Sequence, residues 1–442
     1  MSYQNCKTGP EECISIGSLG KQVSSLSLQV CAYLDRHSCP RPTFEADGGE
    51  VPEDPEYEAL RASLNDVALD LLCLVNGSKT TLRDMFFSHY DLAAMQVALD
   101  RRFFAHIPLP SGSANGHGTS QVTSKSVAEI AAKSGMDEDR TGALLKLLAS
   151  RRIFQQVKQD DSGAENFKHT ALSASLARDA EWHALGDMKL GDMFKASSQL
   201  STLVSRSPHA SGAAHSAFQH HFGLPVYHYY EQNPEKGKRF ARAMSSWSKV
   251  NERDTELRDN FAWASLGDGT VVDVGGGSGH ISIKLAREFP SLRFVVQDRS
   301  PVQLRHDQEH LAGRVSFQQH DFFNPQPIHV ASAFLLRQVL HNYNDEDSIR
   351  IIRALVPALE KCGRETPVLI NDVILPEAGT VTRFEEHLLR QVDVSMMVVL
   401  GAKQRSRRDW ARLFNDADPR FEIVNVRSNP LGVGLLQVHL MC

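Results

Sequence analysis

VDVGGGSGH, residues 272–280, joins a short apolar run to a helical pattern and decides the fold of the C-terminal half. Glycines let a backbone turn tightly and approach a ligand closely, and the helix that follows supplies outward N–H groups. A dinucleotide-binding G-x-G-x-x-G loop would need glycine at position 280, where this chain has His280. The spacing is instead G-x-G-x-G, with Asp273 two residues before the first glycine. The loop predicts a ligand site where a strand meets a helix.

Short apolar runs alternate with helical patterns from residue 268 onward. Strands are predicted at 270–274, 293–297, 315–319, 331–337, 367–374, 421–426 and 434–440, and helices at 281–289 and 347–362. This alternation predicts a parallel sheet with helices on both faces. The last two strands are joined only by SNPLGV, which is too short for a parallel crossover. We therefore expect a doubly wound α/β sheet of seven strands that ends in one reversed strand.

Acidic residues stand at the ends of the second and third predicted strands. Asp298 ends the second strand, where a carboxylate can hydrogen-bond both hydroxyls of a ribose. The third strand ends at HDFF, where Asp321 can accept the amino proton of an adenine and Phe322 can pack on its ring. Taken singly, each acid is equally well interpreted as a solvated residue. Their order at successive strand ends favours one ligand crevice at the carboxyl edge of the sheet.

The fourth predicted strand runs into LRQVLHNYNDED, residues 336–347. This segment resembles the L-[KR]-x-x-L-H-[DN]-[WY]-x-[DE]-[DE] motif of the caffeate/flavonoid-type O-methyltransferases and their fungal natural-product branch. The glycine loop likewise resembles motif I of the class I methyltransferases. The resemblance covers residues 215–442 well and the N-terminal half only loosely. It implies a Rossmann-like seven-stranded methyltransferase domain.

The resemblance also implies a cofactor, S-adenosyl-L-methionine (SAM), whose methionine moiety lies on the glycine loop. A basic residue beside the cofactor matches Arg337 in this chain. No metal site is expected. The candidate cofactor-binding residues are Asp273, Gly275, Gly276, Gly277, Asp298, Arg299, Asp321, Phe322 and Arg337.

The candidate catalytic residues implied by the resemblance are His341, Asp372 and Gln404. A phenol, with a pKa of about 10, is a poor nucleophile at neutral pH, whereas histidine titrates in the useful range. His341 would remove the hydroxyl proton as the oxygen attacks the sulfonium methyl group. Relatives orient this base with two acids, but the second one, in a G-x-E-R-[ST] segment, is Gln404 here. Glutamine accepts a hydrogen bond without carrying charge, so we expect a weaker base.

The N-terminal half has helical patterns at 20–37, 57–75 and 82–104, with loops at 38–55 and 110–121. Residues 126–156 are predicted to form two helices joined by a glycine turn, and β-like segments follow, which is the order of a winged helix. DNA binding and dimerisation are both known roles of such modules. The acidic residues at 137–139 would repel the phosphates of DNA, which disfavours DNA binding. The resemblance implies a homodimer. We divide the chain into a dimerisation and substrate-capping domain, 1–240, and a SAM-binding domain, 241–442.

Residues 172–260 are helical in pattern and rich in aromatic side chains. Such a stretch forms either a packed core or the wall of a pocket for a flat ligand, and the sequence leaves both interpretations open. The candidate substrate-contacting residues are Phe218, His221, Phe222, Met396 and Met397.

Composition excludes several classes of protein. With a formal net charge of −5, the chain has no basic field for a nucleic acid. No apolar run approaches the roughly 18–20 residues that cross a bilayer, and the first 13 residues lack the pattern of a signal peptide. The seven cysteines are scattered without a C-x-x-C pair, unlike a disulfide framework or a zinc site. We expect a reduced, soluble, cytoplasmic protein.

Three functions are compatible with these features. The leading one is SAM-dependent O-methylation of a small aromatic or polyketide-type natural product. The second is a pericyclase or dehydratase that binds SAM without consuming it, which the uncharged Gln404 motivates. The third is a catalytically silent binding protein. Release of S-adenosylhomocysteine (SAH) during turnover distinguishes the first from the others.

Overall fold

A computed structural model describes residues 14–110, 123–157, 164–251, 254–299, 313–429 and 433–441, without the side chains of 245–251 and 254–256. The chain forms two compact units, Met1–Gly191 with Thr382–Phe384, and Asp192–Val381 with Glu385–Cys442. The helices between residues 192 and 240 thus group with the sheet, and the division after residue 240 stays a prediction about domain roles. The start of the chain, most of the 110–121 loop, and Cys6, Cys13 and Cys442 lie outside the described residues.

The first unit is mostly helical. Its helices are α1 Ile16–Arg36, α2 Pro55–Asp100, α3 Phe103–His106, α4 Val127–Ser134, α5 Glu138–Ser150, α6 Ala171–Arg178 and α7 Ala180–Met188. Its strands, β1 Ser124–Ser126, β2 Phe154–Val157 and β3 Asn166–His169, form an antiparallel sheet in the order β1-β3-β2. The helix–turn–helix–hairpin order follows the sequence pattern.

The helix predicted at 57–75 and most of the one predicted at 82–104 lie in one long helix, α2, which has an interruption, and the second prediction runs on into α3. Asp54 caps its start by accepting the N–H of Glu56, and Pro55 occupies the first turn. At Gly77 the backbone leaves helical geometry, with φ 68° and ψ 169°. The stretch between the two predicted helices is therefore helical apart from a kink at one glycine.

The second unit contains the large sheet. Its helices are α8 Phe194–Ser197, α9 Leu200–Arg206, α10 Ala217–Phe222, α11 Val226–Gln232, α12 Pro234–Asn251, α13 Asp254–Asp259, α14 His280–Glu288, α15 Asp345–Cys362, α16 Arg383–Leu400 and α17 Arg407–Ala417. Its strands are β4 Thr270–Val274, β5 Arg293–Asp298, β6 Val315–Gln319, β7 Ala333–Arg337, β8 Val368–Asp372, β9 Ile374–Leu375, β10 Arg405–Ser406, β11 Phe421–Arg427 and β12 Gly434–Leu440.

Seven of these strands form one sheet in the order β11-β12-β8-β7-β4-β5-β6. Strands β4 to β8 pair in parallel, and β12 is antiparallel to both neighbours, as the short connection predicted. The strand predicted at 367–374 divides, because Ile374–Leu375 leaves the sheet and pairs with β10.

Hydrophobic cores cover both faces of the sheet. Val272, Phe334 and Ile370 belong to one buried cluster, whereas their sequence neighbours Val271 and Leu335 belong to another. Consecutive residues of a strand point to opposite faces, so both faces are apolar where helices cover them. This packing brings the carboxyl ends of β4, β5 and β7 to one edge. No helix in the described ranges is long and apolar enough to span a bilayer.

Candidate active site

The glycine loop connects the end of β4 to the start of α14. Gly275, Gly277 and Gly279 have left-handed backbone conformations. At Gly276 a Cβ atom would lie 2.5 Å from Cγ of Asp273, so any side chain would collide with this carboxyl group. The N–H groups of Gly275 and Gly276 donate to the carbonyl oxygen of Gln297, at 2.8 and 3.1 Å. The loop is thereby held against β5.

Asp273 supports the loop from within the fold. Its side chain is buried, and the Ser282 hydroxyl donates to its Oδ2 at 2.6 Å. Burial raises the pKa of Asp273 to about 6, although Ser282 and the positive charge of Arg337 act in the opposite direction. Asp273 and Arg337, which were each predicted to bind the cofactor, are therefore electrostatically coupled.

The acid at the end of β5 contacts the same loop. Oδ2 of Asp298 accepts the N–H of Gly277 at 3.1 Å, and Arg299 follows with an exposed side chain. A phosphate group needs such N–H donors, and a carboxylate already bonded to one of them repels it. This donor set fits the hydroxyls of a nucleoside better than a pyrophosphate.

The end of β6 brings an aromatic ring to the loop. Phe322 lies against Gly275, where a Cβ atom would be 3.3 Å from its Cε1. Its ring also meets Tyr343 edge-on, with the ring centroids 5.7 Å apart. Oδ1 of the neighbouring Asp321 accepts the N–H of Phe323 at 3.0 Å. The loop and the ends of β5 and β6 thus bring together most of the predicted cofactor-binding residues.

His341 lies in a short 3-10 turn, Leu340–Asn342, beyond the end of β7. Its Nδ1 is 3.2 Å from Oδ1 of Asp372 and 3.2 Å from Nε2 of Gln404. The N–H of His341 donates to Oδ2 of Asp372, also at 3.2 Å. All three predicted catalytic residues therefore meet at one ring nitrogen, with 14% of the histidine side chain exposed.

Asp372 is fully buried, and burial raises its pKa, although the facing His341 and the N–H groups of Val373 and His341 act in the opposite direction. Gln404 is also buried, and its Oε1 has no hydrogen-bond partner. Turning the amide by half a rotation places Oε1 on Nδ1 and satisfies this oxygen. In that arrangement the Nδ1–H is shared by Asp372 and Gln404, and Nε2 keeps the lone pair that a general base needs.

The predicted substrate residues lie in two places. Phe218 is fully buried in α10, where its ring packs 4.6 Å from that of Phe222, and exposed His221 meets Phe222 edge-on at 4.5 Å. Met396 is half-buried and Met397 is 41% exposed in α16, which ends shortly before Gln404. Their contact with a substrate stays a prediction.

Comparisons with known proteins bear directly on this site. Residues 206–418 match the model of an O-methyltransferase domain, a range that contains the glycine loop and all three candidate catalytic residues. The chain is 42% identical to O-methyltransferase sol2 of Alternaria solani, over 96% of this chain and 95% of the relative. It is 32% identical to the grayanic acid biosynthesis cluster O-methyltransferase of Cladonia grayi, over 93% and 84%.

The chain belongs to the O-methyltransferase family. The predicted family and enzyme class are confirmed, and the same findings support SAM as the cofactor. The alternative of a pericyclase or dehydratase is not favoured, because the relatives are named O-methyltransferases.

Solved structures agree with the fold of this O-methyltransferase. The crystal structure of OxaC matches with a TM-score of 0.74 and 21% identity, over 96% of this chain and 98% of that chain. A structure titled as a pericyclic reaction enzyme matches with a TM-score of 0.67, also at 21% identity, over 96% and 100%. At this level of identity both likenesses concern the fold alone, and they confirm the predicted Rossmann-like methyltransferase architecture.

Three residues of this O-methyltransferase site were missed by sequence reasoning. Tyr343 packs on Phe322, Asp393 accepts the N–H of Gln404 at 2.7 Å, and the fully buried Arg405 bonds the backbone around His341. Tyr343 lies inside the 336–347 motif, and Arg405 lies inside the segment that matches G-x-E-R-[ST]. Whether an arginine is buried or solvated depends on residues distant in sequence, so only the tertiary structure reveals this role.

Proposed function

We propose that this O-methyltransferase transfers the methyl group of SAM to a hydroxyl of a small aromatic or polyketide-type natural product, with His341 as general base. The observation that carries the proposal is the position of His341. Its Nδ1 lies 3.2 Å from the buried carboxylate of Asp372, beyond the end of a strand that borders the glycine loop.

The mechanism depends on the two ring nitrogens having different roles. Asp372 and Gln404 engage Nδ1, so Nε2 is left to take the proton of the substrate hydroxyl. The buried charge of Asp372 stabilises the imidazolium as it forms. Gln404 orients the ring without adding charge. Bound SAM would supply an electrophilic methyl group on its sulfonium.

The residues proposed to hold SAM are those around the glycine loop. Gly275, Gly276 and Gly277 form a tight backbone cradle over Asp273, and Arg337 balances the charge of this acid. We assign the ribose to Asp298 and the adenine to Asp321 and Phe322, with Arg299 at the exposed rim. The donor set around the loop supports a nucleoside without a phosphate.

The substrate class is inferred from the aromatic helices and from the relatives. Phe222 is partly exposed and is backed by the fully buried ring of Phe218, in a cluster of rings from α10 and α11 that suits a flat ligand, and His221 adds a polar edge. We propose Met396 and Met397 as adaptable contacts on a second helix. The Cladonia grayi relative is named for a biosynthesis cluster, which supports a natural product as substrate.

The first unit is proposed to act in dimerisation. Its helices α4 and α5 and its three-stranded sheet have the order of a winged helix. Asp137 caps α5 by accepting the N–H of Arg140, and the next two residues, also acidic, complement the dipole of that helix. These acids therefore have a structural role, which supports dimerisation over DNA binding. We also propose a cytoplasmic location, which rests on the sequence features alone.

Methyl transfer is tested by incubating the protein with SAM and a panel of hydroxylated aromatic and polyketide compounds. We expect SAH to be released in a one-to-one ratio with a methylated product. His341→Ala should lower this rate by roughly 10²–10⁴-fold, because the general base is lost. The affinity for SAH, measured by calorimetry, should stay within about twofold, since the cofactor-binding residues are elsewhere.

The exposed His329 provides a matched control, because it lies before the start of β7, whereas His341 lies beyond the other end of that strand. His329→Ala should keep the rate of the unmodified protein. Product formation without SAH, or a His341→Ala variant as active as His329→Ala, would contradict the proposed mechanism.

A further inference from the structure

The turn that carries His341 begins from an unfavourable backbone conformation. Gln338, the first residue after β7, has a φ of 52°, in the left-handed region that residues other than glycine rarely adopt. Such a conformation persists only where the surrounding structure holds it in place. The N–H of Gln338 donates to the carbonyl oxygen of Asn371 at 2.9 Å, which anchors the start of the turn to β8.

Arg405 holds the rest of the turn. Its guanidinium is completely buried, and it donates from Nη1 to the carbonyl oxygen of Leu340 and from Nη2 to that of Tyr343, both at 2.9 Å. These two carbonyl groups lie on either side of the His341–Asn342 pair. Nη2 also donates to the Ser348 hydroxyl at 3.1 Å.

The buried charge is balanced at the same place. Nε and Nη2 of Arg405 donate to Oδ1 of Asp345, at 3.0 and 2.9 Å, and the guanidinium lies over the ring of Trp410, 5.3 Å from its centroid. Lys403 binds the other oxygen of Asp345 at 2.6 Å. A planar fork with fixed donors suits this arrangement, and the single ammonium of lysine does not reproduce it.

The chain order couples this clamp to the imidazole. Gln404, which contacts Nδ1 of His341, directly precedes Arg405, and its N–H is held by Asp393. Two consecutive residues of one segment therefore engage the His341 turn, one through the side-chain ring and the other through the backbone.

We propose that Arg405 is a positioning residue, whose guanidinium fixes the carbonyl groups on both sides of the His341 turn and thereby holds the imidazole against Asp372 and Gln404. The role assigned to His341 rests on the proposed methyl transfer. The orientation of the imidazole by Arg405 does not depend on methyl transfer and can be tested without it.

The first test needs no turnover. In protein labelled with ¹³C at the histidine Cε1, the His341 resonance is assigned by its loss in His341→Ala and compared between the unmodified protein and Arg405→Lys, with SAH bound. We expect the resonance to shift and broaden in Arg405→Lys, because the ring samples more than one orientation. The matched control is Arg420→Lys, which changes a surface arginine paired with Asp418 and Glu360 and should leave the His341 resonance unchanged.

The second test uses the compound of the panel that the unmodified protein methylates. Arg405→Lys should lower kcat by about tenfold or more, since small errors in the placement of a catalytic group are costly. KM and the Kd for SAH should each change by less than about twofold. An unmodified protein that releases no SAH would contradict the proposed function, whereas the NMR comparison would still decide the role of Arg405.

Two results would overturn the proposal. One is an unchanged His341 resonance in a folded Arg405→Lys protein, and the other is a loss of kcat matched by an equal loss of SAH affinity, which indicates a general structural role. If Arg405→Lys does not fold, Ser348→Ala replaces it, because Ser348 donates to the Leu340 carbonyl and accepts from Arg405. The same shift of the resonance is expected from Ser348→Ala, and its absence would count against the clamp.

Discussion

Single residues in the site combine burial with charge, and Asp273 is the clearest case. Its carboxyl group is 2% exposed and sits where a side chain at position 276 would otherwise be. Burial raises its pKa to about 6, from 3.8. The folded state therefore binds a proton more tightly than the unfolded state between about pH 4 and pH 6. The contribution of Asp273 to stability is greatest below this range and is lost as the pH rises through it.

Asp273→Asn should reveal this pH dependence, because an amide stays neutral at every pH. The Tm of the variant relative to the unmodified protein should be higher at pH 7.5 than at pH 4.5. The corresponding free-energy change is at most about 3 kcal/mol. Thermal unfolding of the cofactor-free protein at the two pH values measures it. Asp416→Asn, at an exposed position, is the control, and an equal Tm difference at both pH values would show that Asp273 does not titrate in this range.

At the scale of elements, the site depends on how α16 ends. Gly401 follows α16 with a φ of 61°, and its carbonyl oxygen accepts the N–H of Gly212 at 2.7 Å. A Cβ atom at Gly401 would lie 2.2 Å from the carbonyl oxygen of Gly212. This oxygen belongs to the backbone and cannot move aside as the end of a flexible side chain could. This close contact sets the path of the chain toward Gln404 and Arg405.

Gly401→Ala should therefore be more damaging than the same change at another left-handed glycine. Gly379 has a φ of 76° and open space around its Cα. Gly379→Ala should therefore lower the free energy of unfolding by only about 1–2 kcal/mol, because alanine disfavours the left-handed backbone conformation. Gly401→Ala adds a collision and should lower both the free energy of unfolding and kcat. Urea unfolding and SAH release measure the two effects, and equal losses in both variants would show that the contact with Gly212 is unimportant.

At the scale of the whole molecule, the first unit exposes a large apolar surface along α2. The exposed apolar side chains of this helix are Leu69, Leu72, Leu74, Val75, Leu82, Met85, Phe86, Phe87, Tyr90 and Leu92. Large contiguous apolar patches on soluble proteins usually mark interaction surfaces. The proposed occupant is a second copy of the chain.

The protein should have about twice its chain mass of 49.1 kDa in solution. Replacing Phe86 and Phe87 with glutamate should produce monomers, because two charges would be buried without partners. Analytical ultracentrifugation at several concentrations measures the mass. Val330→Glu changes an apolar residue that is 86% exposed outside α2 and should leave the dimer intact. A monomeric unmodified protein, or a double variant that remains dimeric, would rule out this interface.

Much of the large sheet could be predicted because its signals are local. The strands at 270–274, 315–319 and 434–440 have the expected bounds, and the last one runs antiparallel as the short connection required. Buried strands appear as short apolar runs, and the glycine loop marks where the first strand ends. The order of the site residues at strand ends follows from the same rules.

What the sequence by itself determined is the α/β fold and the glycine loop, and its resemblance to a known family implied that Asp372 and Gln404 accompany His341. Only the tertiary structure decided that Arg405 is buried against the His341 turn, that Asp273 supports the loop from below and that α2 continues past Gly77. The fold and the loop depend on neighbouring residues and on periods of two or 3.6, whereas the catalytic residues follow from matches to the motifs of a family. The features that only the tertiary structure decided depend on burial and charge pairing between segments up to 65 residues apart, as for Arg405 and Leu340, which no local pattern encodes.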